Sequence, residues 1–343
     1  MSLQNLLNGG AFLRSKIDNQ ITELDLQLDN FMLYCDAKHL SPKTLKSYEQ
    51  TLTLFRNYLV QELKIEDATD IKASHVRRYI QFLRERGKYT VTASDKSLNV
   101  NYPERREDFK KKISDTTIAN YMRNIKVFFN FLKKEREIKE NPMENVEKIK
   151  PKRKLKQLLT ESELKLLFSS FNLTLFHEYR TWLQLRLILD TGIRATECCL
   201  LEPEDIDFKT KAILIRNAKN GHERYVYFGH KLSVDLKRWI AHRDRYIDSP
   251  YLFPTTRGTA LTVTNFESTV RRKGNNVDLH VHPHLLRNNF AKHYLLNNGD
   301  FATLSRILGH ASVETTMKAY LDFSDREIGR KYQKHSPLNN LDI

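Results

Sequence analysis

Apolar positions recur at helical spacing through much of the chain, and the places where the recurrence fails divide it. Leu45, Tyr48, Leu52, Phe55 and Leu59 fall three or four apart within residues 40–59, which puts them on one face of an α-helix. Ser41 and Pro42 stand ahead of that stripe as its N-cap and first helical residue. Ile118, Met122, Ile125, Phe129 and Leu132 make a second stripe within 114–135, with Ser114 as its cap. Weaker patterns predict helices over 20–38 and roughly 73–86, the latter ending before Gly87. Together these predict a small all-helical bundle over 20–147. A polar, flexible segment, 1–19, with Gly9 and Gly10 inside it, comes first. The stretch GKYTVTASDKSLNVNYPERREDFKKK, 87–112, is polar, charged and aperiodic. It is long for a connection inside a compact bundle, and reads as an inserted loop holding a short β-hairpin or an extra helix.

The pattern changes after Asn141-Pro142, which ends the last helix of the bundle. Residues 148–157 form a linker, and KIKPKRKLK within it has six basic residues in nine and no acid. Thr160 and Glu163 then make a capping box that opens a new helix. Residues 178–207 read as helix, glycine turn, helix. The period shortens to that of strands at 211–216 (KAILIR) and 223–228 (ERYVYF), joined across Asn220-Gly221, a strong hairpin signal. Helices resume near 230 and run towards the end. The second domain, 158–343, is therefore mainly α with a small antiparallel sheet and a C-terminal tail.

A length of 343 residues suits two domains. The charge says what they meet: 57 Lys and Arg stand against 42 Asp and Glu, a formal net charge of +15. A surplus of that size points to a polyanion such as a phosphate backbone. A membrane surface would also attract it, but no apolar run of about 18 residues occurs, nor any signal-peptide or lipidation pattern. The chain reads as soluble and intracellular, with no membrane partner. Cys35, Cys198 and Cys199 form no disulfide framework and no CxxC pair, which excludes a zinc ribbon. His280, His282 and His284 alternate without a cluster of acids or cysteines beside them, so no metal is expected. Without a GxGxxG or P-loop, no nucleotide cofactor is implied either.

Five stretches of the second domain carry polar residues whose combination matters more than any one of them. Arg194, in LDTGIRATE, follows a glycine turn, with Glu197 one helical turn on; alone it is an ordinary surface ion pair. Lys219 precedes the Asn-Gly turn, where lysines are usually just solvated. His284 and Arg287 lie three apart in HPHLLRNNF, while Leu285, Leu286, Phe290, Tyr294 and Leu295 bury the other faces. His310 follows Leu308-Gly309, and Tyr320 comes ten residues later in HASVETTMKAY. Taken together they make an anion site with a nucleophile. Two arginines can fork onto one phosphate, histidines can donate hydrogen bonds and move a proton, and a lysine can protonate a leaving oxygen. A tyrosine can attack if cationic neighbours lower its pKa and a base takes its proton.

These boxes resemble those of the tyrosine recombinases, the phage-integrase and Xer-like site-specific recombinases, and the likeness runs from about residue 20 to about 325. That family's order is Arg, Lys, His-x-x-Arg, His or Trp, Tyr. TGIRATE would supply Arg194, the hairpin Lys219, HPHLLR His284 and Arg287, and LGHASVETTMKAY His310 and Tyr320. LSPKTLKSYEQTL and TTIANYMRNIKVFFNFL look like the family's helical core-binding half. The resemblance implies a C-shaped clamp of two domains on double-stranded DNA recombination sites, assembled as a homo-tetramer on two duplexes, in the cytoplasm at the nucleoid. An accessory directionality factor is a further implied partner; no cofactor is. It implies a metal- and ATP-independent strand exchange through a 3′-phosphotyrosyl intermediate, with integration or excision of a mobile element or phage as the leading role. Chromosome or plasmid dimer resolution, a type IB topoisomerase and a silent DNA-binding protein are the alternatives. Two features depart from the usual pattern: the 87–112 loop is long, and no arm-site module is read ahead of residue 20.

Overall fold

The computed structural model describes residues 21–91, 93, 102–151, 158–216, 223–320, 329 and 332–333. The chain divides into two compact units, Met1–Arg153 and Lys154–Ile343. Among the described residues it is mainly helical, with one small sheet, which lies in the second unit.

The first unit is built from α1 (Glu23–Ala37), α2 (Pro42–Leu63), α3 (Ala73–Glu85) and α4 (Asp115–Lys134). Their starts follow the local chemistry. Ser41 Oγ accepts from the Thr44 amide at 3.2 Å and Ser114 Oγ from Thr117 at 3.3 Å, each satisfying an amide that the first turn leaves open. The stripes read from the sequence meet in one core: Leu52, Phe55 and Leu59 of α2 with Ile118, Ile125, Phe129 and Leu132 of α4, and with Phe31 of α1 and Tyr79 of α3. Its rings pack edge-on and tilted, as in Phe31–Phe128, 5.5 Å apart at 73°. One polar group sits in the α2–α4 seam. The Asn124 amide donates to Ser47 Oγ at 3.1 Å and to Thr51 Oγ1 at 3.0 Å, so its burial leaves no open donor cost.

The inserted loop has an ordered base. Gly87 and Lys112 form an antiparallel bridge, the Lys88 amide donates to the Lys111 carbonyl at 2.8 Å, and that of Lys110 to Lys88 at 3.1 Å. Within it Pro103–Arg105 makes a single 3-10 turn. One antiparallel bridge thus closes the loop's ends, while part of the stretch read as a hairpin or extra helix falls outside the described residues. Three cations lie over aromatic faces there: Arg106 over Tyr89 at 4.4 Å, Arg105 over Tyr102 at 4.8 Å, and Lys110 over Phe109 at 5.4 Å. Residues 94–101, with Lys96, fall outside the described residues, as do 1–20 and 152–157 of the linker.

The second unit opens with α5 (Glu161–Ser169), α6 (Phe176–Thr191) and the short α7 (Ala195–Cys199). The Thr160–Glu163 capping box forms as read. A three-stranded antiparallel sheet follows, β1 (Ile206–Asp207), β2 (Ala212–Ile215) and β3 (Arg224–Tyr227), in the order β1-β2-β3. The β2–β3 register pairs Ala212 with Tyr227 and Ile215 with Arg224, so these strands form the two arms of a hairpin. The two-residue β1 is too short to leave a period in the sequence. Then come α8 (His230–Arg243), α9 (Val263–Asn275), α10 (Pro283–Leu296), α11 (Phe301–Leu308) and α12 (Val313–Tyr320). Helices α6 and α10 lie side by side along much of their length. Around them the core gathers Leu187, Ile188, Ile213, Val226, Trp239, Phe253, Phe266 and Leu286. Among the described residues no helix is long and apolar enough to cross a membrane.

Candidate active site

Two glycines set the geometry of the site. Gly192 ends α6 in the left-handed conformation, φ 69°, and a Cβ there would stand 2.3 Å from Phe290 Cδ1 of α10. Only glycine lets α6 turn so close beneath α10, and the turn sends Arg194 out at the head of α7. Gly309 ends α11 in the same conformation, φ 62°, and turns His310 back towards Arg287. A helix end leaves its last carbonyls without intrahelical donors and carries a partial negative charge. At α11 arginines fill that vacancy. Arg224 Nε donates to the Ile307 carbonyl at 2.8 Å, Arg287 Nη2 to that of Leu308 at 2.8 Å, and Arg194 Nη2 to that of Gly309 at 3.0 Å.

Arg287 is buried, and its Nη1 also donates to the Gly192 carbonyl. It thereby ties the two glycine turns together. Burial, reinforced by the Arg194 charge, lowers its pKa to about 10. It stays a cation at neutral pH, in a place where that charge is poorly solvated and an anion would be welcome. Glu197 underlies Arg194. Its carboxylate, 1% exposed, accepts from the Arg194 amide at 2.9 Å and from Arg194 Nη1 at 2.8 Å. Burial pushes its pKa up, but the bonds from Arg224 and Arg194 outweigh this and hold it below the ordinary glutamate value. The Arg194–Glu197 spacing, unremarkable on a solvated helix, is here a buried ion pair.

His310 Nδ1 lies 2.7 Å from Thr316 Oγ1, and its Nε2 3.4 Å from Arg287 Nη2. An arginine can only donate, so Nε2 accepts and Nδ1 carries the proton towards Thr316. The charge state agrees: burial, with Arg287, Arg194 and Arg224 nearby, lowers the His310 pKa to about 4. Its imidazole is neutral at pH 7 before any anion enters. The two threonines ahead of Tyr320 thus have separate tasks. Thr315 completes the cap of α12 with Ser312, whose Oγ accepts its amide at 3.3 Å, while the fully buried Thr316 orients His310.

Tyr320 ends α12 with its ring parallel to that of His310, centroids 6.5 Å apart. It is 6% exposed, and its hydroxyl donates to Asn288 Oδ1 at 3.2 Å. The cationic neighbours that would favour attack do pull its pKa down, but not enough to set the balance in this state. Burial raises it and outweighs Arg287 and Arg194, which pull the other way. His284 is exposed at the start of α10, its ring 6.5 Å from that of His282, and its charge bears on His310. His282 caps the same helix, Nδ1 accepting the Leu285 amide at 3.2 Å. Lys219 lies outside the described residues, in the segment joining β2 to β3.

The structure therefore gathers Arg194, Arg287, His310 and Tyr320 into one bonded cluster, with His284 at its edge. Sequence reasoning missed four members: Glu197 as a buried acid, Arg224, Asn288 and Thr316. Arg224 left a usable sign. In ERYVYF, period two puts Arg224 on the same side as Val226 and Phe228, which are buried, while Tyr225 and Tyr227 are exposed. An arginine on the inner face of a strand requires an acid.

The chain resembles known proteins along most of its length. The profile of the Phage integrase family matches residues 157–327, and that of the Phage integrase, N-terminal SAM-like domain, matches 28–101. Tyrosine recombinase XerC of Bacillus pumilus is 31% identical over 242 residues, covering 67% of this chain and 78% of that protein. Tyrosine recombinase XerC of Oceanobacillus iheyensis is 26% identical over 329 residues, covering 93% and 99%. Among solved structures, a Tn1549 transposon integrase in complex with transposon right end DNA aligns with a TM-score of 0.69 at 16% identity, over 91% of this chain and 99% of that one. A XerH site-specific recombinase bound to its difH substrate aligns with a TM-score of 0.64 at 18% identity, over 95% and 100%. At those identities the solved structures speak for the fold, and the XerC relatives and the two profiles for the descent. This chain belongs to the tyrosine recombinase family, the phage integrases and their Xer-like relatives, and is a site-specific recombinase of that kind.

Proposed function

We propose that this recombinase cuts and rejoins double-stranded DNA through Tyr320, and that it integrates or excises a mobile element or phage. The Tyr320 oxygen attacks the scissile phosphorus, forming a 3′-phosphotyrosyl bond, and His284 takes the phenolic proton. The 5′-oxygen leaves, protonated by Lys219. Arg194, Arg287 and His310 hold the non-bridging oxygens as charge builds on them. The 5′-hydroxyl of the partner strand then attacks the phosphotyrosine and releases the tyrosine, so bond energy is conserved without ATP. What supports this reading is the placement of Tyr320, whose ring lies parallel to that of His310 and whose hydroxyl feels the charges of Arg287 and Arg194. On this reading the protein works in the cytoplasm as a homo-tetramer on two duplexes, with an accessory directionality factor as a further partner. A second role, dimer resolution, draws support from the similarity to XerC proteins.

A suicide duplex, nicked so that the released 5′-end diffuses away, tests the chemistry. Wild-type protein should become covalently joined to it, and the absence of an adduct on the element's own ends would refute the assignment. Joining of a labelled strand to a second duplex separates a recombinase from a strand-relaxing enzyme. Joining of element ends to unrelated target DNA would favour integration; exchange confined to two copies of one site would favour resolution.

The base of the 87–112 loop belongs to the same reading. Arg105, Arg106, Lys110, Lys111 and Lys112 are all exposed there, and we assign them to DNA phosphates. Each phosphate deprived of its cation should lower the slope of log affinity against log salt by about 0.9. Alanine at these five positions and at Lys96 should therefore flatten the salt dependence. An unchanged slope would leave the loop to a neighbouring protomer or to solvent.

A further inference from the structure

Arg224 is named by none of the boxes that carry the chemistry, yet all three of its guanidinium nitrogens are hydrogen-bonded within the cluster. It stands at the start of β3, where the hairpin returns. Its Nη1 donates to Glu197 Oε1 at 2.9 Å, its Nη2 to Glu197 Oε2 at 2.7 Å, and its Nε to the Ile307 carbonyl at 2.8 Å. The fork geometry matches both carboxylate oxygens at once. Arg194 reaches the same carboxylate with a single guanidinium nitrogen, Nη1, on Oε1 at 2.8 Å. Exposure ranks the two in the same order: the side chain of Arg224 is 11% exposed and that of Arg194 23%.

We propose that Arg224 is the counter-ion of Glu197, and that it acts on the reaction by leaving the charge of Arg194 available to the scissile phosphate. One carboxylate lies among three guanidinium groups. Were Glu197 paired with Arg194 alone, the two would form a neutral unit, and the phosphate would meet a dipole where it needs a cation. With Arg224 seated on both oxygens, Glu197 can still orient Arg194 through its amide and Nη1 without cancelling it. In a buried setting that difference is large, because little solvent screens it. Arg224 also reaches the end of α11 two residues before Gly309, so the return strand, the Arg194 helix and the turn into His310 share one anchor. It touches no reacting atom, and is a positioning residue.

The proposal rests on the reading of Arg194 as a phosphate-holding group, and the experiment keeps the two apart. Single-turnover formation of the covalent adduct is measured on a phosphodiester and on a methylphosphonate, which replaces one charged non-bridging oxygen by a methyl group. Failure of wild-type protein to form an adduct, or an Arg194→Ala protein as fast as wild type, would count against the site. With those controls in place, Arg224→Gln should slow cleavage of the phosphodiester by roughly 10- to 100-fold, on the scale of losing part of a charge-stabilising group. DNA affinity should be nearly unchanged. On the neutral methylphosphonate the deficit should shrink to a small factor, because less cationic charge is needed there. Arg224→Lys, which keeps the charge without the fork, should recover most of the rate. An equal deficit on both substrates, or an Arg224→Lys protein as slow as Arg224→Gln, would overturn the proposal and leave Arg224 a structural tie. Should Arg224→Gln fail to fold, the double variant Glu197→Gln/Arg224→Gln carries the test. It buries no unpaired charge and has no carboxylate to neutralise Arg194, so it should cleave within about tenfold of wild type. A folded double variant as inactive as Arg194→Ala would overturn the proposal equally.

Discussion

Replacing Tyr320 by phenylalanine should abolish the covalent protein–DNA adduct while leaving DNA affinity nearly unchanged. The oxygen we assign to the attack is the only heavy atom removed. The ring that packs beside His310 stays, and so does its place among Ala291, Leu295, Leu304 and Leu308. The hydrogen bond to Asn288, which at 3.2 Å is long for a hydroxyl donor, goes with the hydroxyl. Its loss is expected to cost about 1 kcal/mol, which lowers the melting temperature of a domain this size by about 2–4 °C. Loss of the adduct with a melting temperature this close to wild type would assign the hydroxyl to chemistry. Persistence of the adduct in the variant would mean that another nucleophile acts, and Tyr332, 59% exposed, would be next to mutate.

Legibility tracked how local each determinant was. Helix α2 could be read from Ser41, Pro42 and five apolar residues because caps and stripes act within one element. The β2–β3 hairpin was equally plain, since alternating strands flanking Asn-Gly carry their own register. Arg194, Arg287, His310 and Tyr320 were found through short boxes, whose internal spacing is also local. The partners that organise them were not. Glu197, three residues from Arg194, is indistinguishable in sequence from a solvated ion pair until α11 and β3 close over it. Arg224 meets Glu197 across 27 residues and Ile307 across 83. Thr316 could be seen as part of a helix start, but not as the group that selects the tautomer of His310. The net direction of the Tyr320 pKa was not legible for a related reason: counting cations near a residue leaves out the cost of burying its charged form, and here that cost is the larger effect.

The substitution Lys219→Ala should slow cleavage of ordinary DNA by about two to four orders of magnitude, the usual range for loss of a positioned general acid. The 5′-oxygen departs as an alkoxide unless a proton reaches it as the bond to phosphorus breaks, and an alkoxide is a poor leaving group. The neighbouring cations do not offer that proton readily: Arg287, even with its pKa lowered to about 10, is held by the Gly192 and Leu308 carbonyls, and Arg194 by Glu197 and Gly309. His310, with a pKa lowered to about 4, is neutral at pH 7 and directs its Nδ1 proton at Thr316. Lys219, which lies in sequence between β2 and β3, is the group we assign to this step. A sulfur in the 5′-bridging position leaves as a thiolate without help. Lys219→Ala should therefore cleave a 5′-bridging phosphorothiolate nearly as fast as wild type does. Arg194→Ala should gain nothing from the sulfur, because we assign its charge to the non-bridging oxygens, which the sulfur leaves unchanged. Failure of sulfur to rescue Lys219→Ala would make the lysine a DNA-positioning group and send the search for the acid elsewhere.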